Sequence, residues 1–86
     1  MVKVEMYAQP GCPYCHRAKA LLESKGVRPV EYDIIENPEK RKEMEERSGR
    51  RTTPQIFIDG KCVGGCDDLH ELESEGRLDS LLGLKE

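Results

Sequence analysis

The sequence predicts an α/β chain: one four-stranded mixed sheet flanked by helices, in the order β-α-β-α-β-β-α-α. Three observations predict it. Residues 1 to 35 pass from an alternating pattern to a helical one and back, the length and rhythm of a β-α-β unit. The pair Asp59-Gly60 separates two short strand-like runs and marks a hairpin. Proline and glycine stand at the boundaries of patterned segments, which favours folding over disorder.

Taken in order, residues 2 to 8 alternate apolar and polar through Met6, with β-branched Val2 and Val4, which is the period of a strand. Gln9-Pro10-Gly11 breaks the pattern. From Pro13 the spacing turns helical, with Cys15, Ala18, Leu21 and Leu22 on one side and Arg17, Lys19, Glu23 and Lys25 outside. Gly26 is the stop. Val30 to Ile35 is a second strand, parallel to the first because a helical crossover joins them. Asn37-Pro38 opens the next helix, since proline suits a first helical position. To Ser48 that helix is almost wholly charged, with Met44 its main apolar contact and Glu43 set to pair with Arg47 at i,i+4; it is expected on the surface. Gln55 to Ile58 and Lys61 to Val63 form a hairpin on a type I′ turn. Gly64-Gly65 ends it, Asp67 or Asp68 caps a helix carrying Leu69 and Leu72 inward, and Gly76 stops that helix. A last short helix holds Leu78, Leu81 and Leu82. No repeat or linker interrupts residues 1 to 86, so one domain is expected.

Composition narrows the function. A chain of 86 residues holds one compact core, so an active site must lie near the surface. With 14 basic against 17 acidic residues, one Phe and three Tyr, it lacks the basic face and stacking platform that nucleic acid requires. Apolar runs such as Ile56-Phe57-Ile58 fall far short of the roughly 18 residues of a membrane span. No signal-like segment follows Met1-Val2-Lys3, so neither membrane nor export is expected and the cytosol, where thiols stay reduced, is the expected compartment.

Cys12-Pro13-Tyr14-Cys15 falls after a strand and opens a helix. Unpaired backbone N–H groups and the dipole at a helix start favour an anion, so a thiolate at Cys12 is stabilised and Cys12 is the expected nucleophile. Cys15, one turn on, should be more buried and act as the resolving thiol. Pro13 stiffens the pair at little cost. The competing reading is a zinc site completed by Cys62 and Cys66. Two C-x2-C knuckles usually stand about 15 to 20 residues apart; here the gap is far longer and the second pair is C-x3-C. No metal is expected. Cys62, on a hairpin strand, is expected to pack, and an accessory Cys62–Cys66 disulfide stays open.

Three separated segments, Cys12-Pro13-Tyr14-Cys15-His16-Arg17-Ala18-Lys19, Ser48-Gly49-Arg50 with Thr53-Pro54-Gln55-Ile56-Phe57-Ile58-Asp59, and Gly64-Gly65-Cys66-Asp67-Asp68-Leu69, resemble the glutaredoxins, most closely the short bacterial dithiol members. The resemblance spans nearly the whole chain. It implies a thioredoxin fold in which glutathione is the co-substrate, with no bound redox cofactor, and in which protein disulfides or protein–glutathione mixed disulfides are reduced by a monomer. It also implies a cis Pro54 facing Cys12, with the Thr53 backbone turned outward to pair with the glutathione cysteinyl unit and Thr52 beside it. Gly65, Cys66 and Asp67 would hold the γ-glutamyl end, through N–H groups at a helix start and the Asp67 carboxylate. Tyr14 would cover the sulfur side. Many glutaredoxins carry Lys or Arg where this chain has Gln9, so glutathione affinity and the depression of the Cys12 pKa are expected to be weaker here, with Arg41, Arg50 or Arg51 as compensating cations. His16 is a helix-surface residue or a proton partner of Cys12. Two alternatives accompany this reading: a glutaredoxin-like thioredoxin reduced by a flavoprotein reductase, and a carrier of a [2Fe-2S] cluster ligated by Cys12 and glutathione.

Overall fold

The computed structural model describes residues 2–84. Its elements run β1 (Val4–Ala8), α1 (Pro13–Ser24), β2 (Val30–Asp33), α2 (Pro38–Ser48), β3 (Gln55–Ile58), β4 (Lys61–Gly64), α3 (Cys66–Ser74) and α4 (Leu78–Leu81), the predicted order. The strands lie β2-β1-β3-β4, with β1 parallel to β2 and antiparallel to β3, which pairs antiparallel with β4. This is the mixed four-stranded sheet, flanked by helices, that the sequence predicts.

Side chains alternate across a strand, and here each face of the sheet has its own core. Val4, Met6 and Ala8 of β1 with Ile56 and Ile58 of β3 face α1, α3 and α4, meeting Ala18, Leu22, Leu69 and Leu78. Tyr7 and Phe57 face the other way, onto Met44 of α2 and Ile34. Because helices cover both faces, β1 is buried along its whole length, Glu5 included, although the alternation sets Glu5 on the polar side. The second strand stops at Asp33, two residues short of the expected end, because the Asp33 carboxylate accepts the N–H groups of Ile35 and Glu36 at 2.8 and 3.0 Å and turns the chain.

The charged helix is the main correction. Met44 is fully buried as expected, but Arg47 does not pair with Glu43. It reaches the sheet, where Nη2 and Nη1 donate to Glu5 Oε1 and Oε2 at 3.2 and 3.3 Å and Nη1 donates to the Tyr7 hydroxyl at 2.8 Å. Its guanidinium lies 4.0 Å from the centroid of the Phe57 ring. Glu43 instead accepts from the Tyr7 hydroxyl and from Lys40. Burial and the Glu43 carboxylate push Tyr7 up to about 12, so it remains a neutral donor. Charged side chains thus pack α2 onto β1 with few apolar ones.

At the hairpin Asp59 and Gly60 both take positive φ, +50° and +82°, the requirement of a type I′ turn. Cys62 is exposed, not packed; its thiol donates to Gln55 Oε1 at 3.8 Å. Neither aspartate is the N-cap of α3: Gly65 holds that position, and Asp68, three residues on, reaches back to its N–H at 2.9 Å. The last helix ends at Leu81, one residue short of the expected end, with Leu82 as its C-cap; Leu78 and Leu82 are buried, while Leu81 is exposed. Among the described residues no helix is long and apolar enough to cross a membrane.

Candidate active site

The loop after β1 delivers Cys12 to the N-cap of α1, with Pro13 as the first helical residue. The backbone of Cys12 is extended, φ −93° and ψ 107°, and its sulfur accepts the N–H of Cys15 at 3.2 Å. This is the position where serine or aspartate oxygen normally satisfies an orphan helix donor; here a sulfur does so, and a thiolate accepts better than a thiol. The Thr53 hydroxyl adds a contact at 3.7 Å, and the Thr53 carbonyl lies 3.9 Å away. Burial raises the Cys12 pKa, but hydrogen bonds from the Cys15 thiol and N–H, the Thr53 hydroxyl and the Tyr14 N–H outweigh it, and the net shift is downward.

Cys12 and Cys15 are almost enclosed, 7% and 5% exposed. They differ in how deeply protein surrounds the sulfur. Burial first, and then the hydrogen bond to Cys12, push the Cys15 thiol up to about 11. The pair is therefore split, one thiol biased toward the anion and the other held protonated. All four cysteines are free thiols. Among the described residues no three of His, Cys, Asp and Glu gather into a group able to hold a metal.

The Thr53–Pro54 peptide bond is cis. Two adjoining depressions flank the cysteine. One, of about 470 Å³, contains Cys12 and reaches Gln9, Arg41 and Arg51; the other, of about 210 Å³, reaches Pro54, Gly65, Cys66 and Asp67. Tyr14, Thr52 and Thr53 line both, so they form one groove with Cys12 near its middle. Every expected glutathione contact, Gln9, Tyr14, Thr52, Thr53, Pro54, Gly65, Cys66, Asp67 and Arg41, falls on this groove. Arg41 and Arg51 both pair with Glu45, at 3.3 and 3.9 Å, on the Cys12 side. Arg50 lines the other depression, 3.0 Å from Asp68, and is not among the residues that share a depression with Gln9. Cys15 instead faces a third depression of about 330 Å³, shared with His16, Lys19 and Glu31 between α1 and β2.

From sequence, Gln55 has no role beyond its strand and Asp68 none beyond a helix cap. Gln55, fully buried, donates to the Thr52 carbonyl at 2.9 Å and braces the loop that carries both threonines. The only available signal was a polar residue opening an otherwise apolar strand directly after Thr52-Thr53-Pro54.

The glutaredoxin family model matches residues 4–63. The chain is 60% identical over 82 residues to glutaredoxin 3 of Escherichia coli K12, covering 95% of this chain and 99% of that protein. Among solved structures, a glutaredoxin from Brucella melitensis is 60% identical with a TM-score of 0.85, covering 100% of this chain and 94% of that one. A buckwheat glutaredoxin–glutathione complex is 28% identical with a TM-score of 0.88, covering 95% of this chain and 77% of that one.

Proposed function

The chain belongs to the glutaredoxin family of thiol–disulfide oxidoreductases, and from that premise we propose that it uses glutathione to reduce protein disulfides and protein–glutathione mixed disulfides through Cys12 and Cys15. The observation that carries the reading is the groove itself. A sulfur with a lowered pKa sits at its middle, with Arg41 and Gln9 at one end and Asp67 beside the start of α3 at the other. That spacing of charge suits a tripeptide thiol with a carboxylate at one end and an amino acid head at the other. Further support is that a relative of the same fold is described as a glutathione complex.

In the mechanism, the Cys12 thiolate attacks the glutathionyl sulfur of a mixed disulfide, the protein thiolate leaves, and Cys12 carries the glutathione. A second glutathione thiolate attacks that disulfide, releasing oxidised glutathione and the Cys12 thiolate. With a protein disulfide, Cys12 first forms a mixed disulfide with the substrate. The Cys15 thiol then loses its proton and attacks Cys12, expelling the reduced substrate, and two glutathiones open the Cys12–Cys15 bridge. Losing the Cys12 thiolate removes the hydrogen bond and the neighbouring negative charge that, after burial, hold Cys15 protonated, so the resolving thiol is easier to ionise once the first exchange has occurred. No bound redox cofactor takes part, and glutathione is spent as co-substrate.

The test is glutathione-dependent turnover of a small mixed disulfide, coupled to NADPH through glutathione reductase. Cys12→Ser should abolish turnover, and Cys15→Ser should retain it while losing protein disulfide reduction. No turnover by folded, reduced wild type, together with reduction through a flavoprotein thioredoxin reductase, would replace this reading with the glutaredoxin-like thioredoxin.

A further inference from the structure

One carboxylate oxygen joins the two walls of the smaller half of the groove. Asp68 Oδ2 accepts the Gly65 N–H at 2.9 Å and the Arg50 Nη1 at 3.0 Å. Arg50 leads into Thr52-Thr53-Pro54, and Gly65 begins α3 with Cys66 and Asp67 behind it. The backbone is shaped to receive that oxygen. Gly64 has φ +103°, and a Cβ there would lie 2.2 Å from Asp68 Oδ2. At Gly65 a Cβ would lie 3.2 Å from the Pro54 carbonyl oxygen, so the walls approach closely at this point. The Gly65 N–H and Arg50 hold the Asp68 carboxyl below its usual range, which keeps it charged at neutral pH. The two adjacent acids therefore differ: Asp68 is committed within the protein, whereas Asp67 makes no ion pair among the described residues and lines the same depression.

We propose that Arg50 and Asp68 are positioning residues: their clamp on Gly65 fixes the spacing between the Thr53 wall and the start of α3, and so sets the selectivity for a γ-glutamyl group over smaller thiols. The proposal rests on the glutathione reading above. Both residues line that depression, with their charges paired to each other, and they act on the transferred group through the placement of the Gly65, Cys66 and Asp67 backbone.

The experiment uses a peptide with one cysteine, blocked either by glutathione or by cysteinylglycine, which differs from glutathione only in lacking the γ-glutamyl arm. In a Cys15→Ser background the reaction is a single exchange: the Cys12 thiolate forms the new disulfide and the peptide thiolate leaves, so the rate is read as free peptide thiol. Arg50→Met should lower the glutathione-to-cysteinylglycine rate ratio about threefold, the scale of one exposed charge pair, and leave the cysteinylglycine rate unchanged. Asp68→Asn should lower the ratio similarly, and Arg50→Met added to it should cost nothing more, because the arginine acts through the aspartate. An unchanged ratio in Arg50→Met, an equal fall in both rates, or a further loss in the double variant would each overturn the clamp. A wild-type ratio of one would instead overturn the glutathione reading, and the clamp with it.

Discussion

Replacing Arg47 by Met tests whether charged side chains hold α2 to the sheet. The variant keeps an unbranched apolar stem and removes the guanidinium, together with its two bonds to Glu5, its bond to the Tyr7 hydroxyl and its contact with the Phe57 ring. The Arg47 and Glu5 side chains are 29% and 9% exposed, between the surface and interior cases. Breaking a fully buried pair from one side costs about 3 to 5 kcal/mol, and an exposed pair is worth about 0.2 to 1 kcal/mol. Glu5 keeps the Tyr32 hydroxyl at 2.8 Å, with Lys3 at 4.0 Å, so the carboxylate is not orphaned. The expected loss is about 2 kcal/mol, read as the shift in urea midpoint at unchanged slope. Replacing both Glu5 and Arg47 by Met should recover most of it, because the nearly buried carboxylate, left with only the Tyr32 hydroxyl and the more distant Lys3, is then also removed. The pH dependence has a definite sign. Burial pushes the Glu5 carboxyl up, the bonds from Arg47 and Tyr32 overcome it, and the folded pKa is lowered. The contribution is therefore present above the unfolded value of about 4.3 and is lost as pH falls through the lower folded value, so wild type and Arg47→Met should converge in acid. A loss below about 0.5 kcal/mol for Arg47→Met, or a double variant weaker than the single one, would refute the reasoning by showing the pair to be solvated.

Four more outcomes are expected. At pH 7 iodoacetamide should modify Cys12 much faster than Cys15, because only the thiolate reacts and Cys15 is pushed up to about 11; comparable rates by peptide mass spectrometry would contradict the split. The Cys12 rate should reach its plateau at a pH below that of a free cysteine, whose pKa is about 8.5. Gly64→Ala should destabilise by about 2 to 3 kcal/mol in urea, since it combines a positive φ with a Cβ driven into Asp68; a neutral result would mean that the clamp shifts easily. Gln9→Lys adds a cation to the end of the groove that holds Arg41, and should strengthen glutathione affinity and lower the Cys12 pKa further, read by titration and by thiolate absorbance; no change in either would show that Gln9 costs nothing.

Local signals determined a great deal about this protein. The order of elements follows from periodicity and from glycine and proline placement, and Asp59-Gly60 specifies its own turn, because the two residues that must take positive φ are adjacent in the chain. The cysteine pair was legible for the same reason: helix cap, proline and both thiols lie within four residues, and the field at a helix start is a local property. The rest of the groove entered through likeness to a family, since nothing in the spacing of Gln9, Thr53 and Asp67 says that they meet. Tertiary structure alone decided what the charged residues do. Glu5 looked like the polar side of a strand and Arg47 like a surface partner of Glu43, until helices on both faces of the sheet turned them toward each other. Asp68 looked like a helix cap, and became the link between two loops once the sheet had brought Arg50 alongside it. A charge finds its partner through space. Periodicity says which side of an element a residue occupies, and only the packing of the elements says what that side meets.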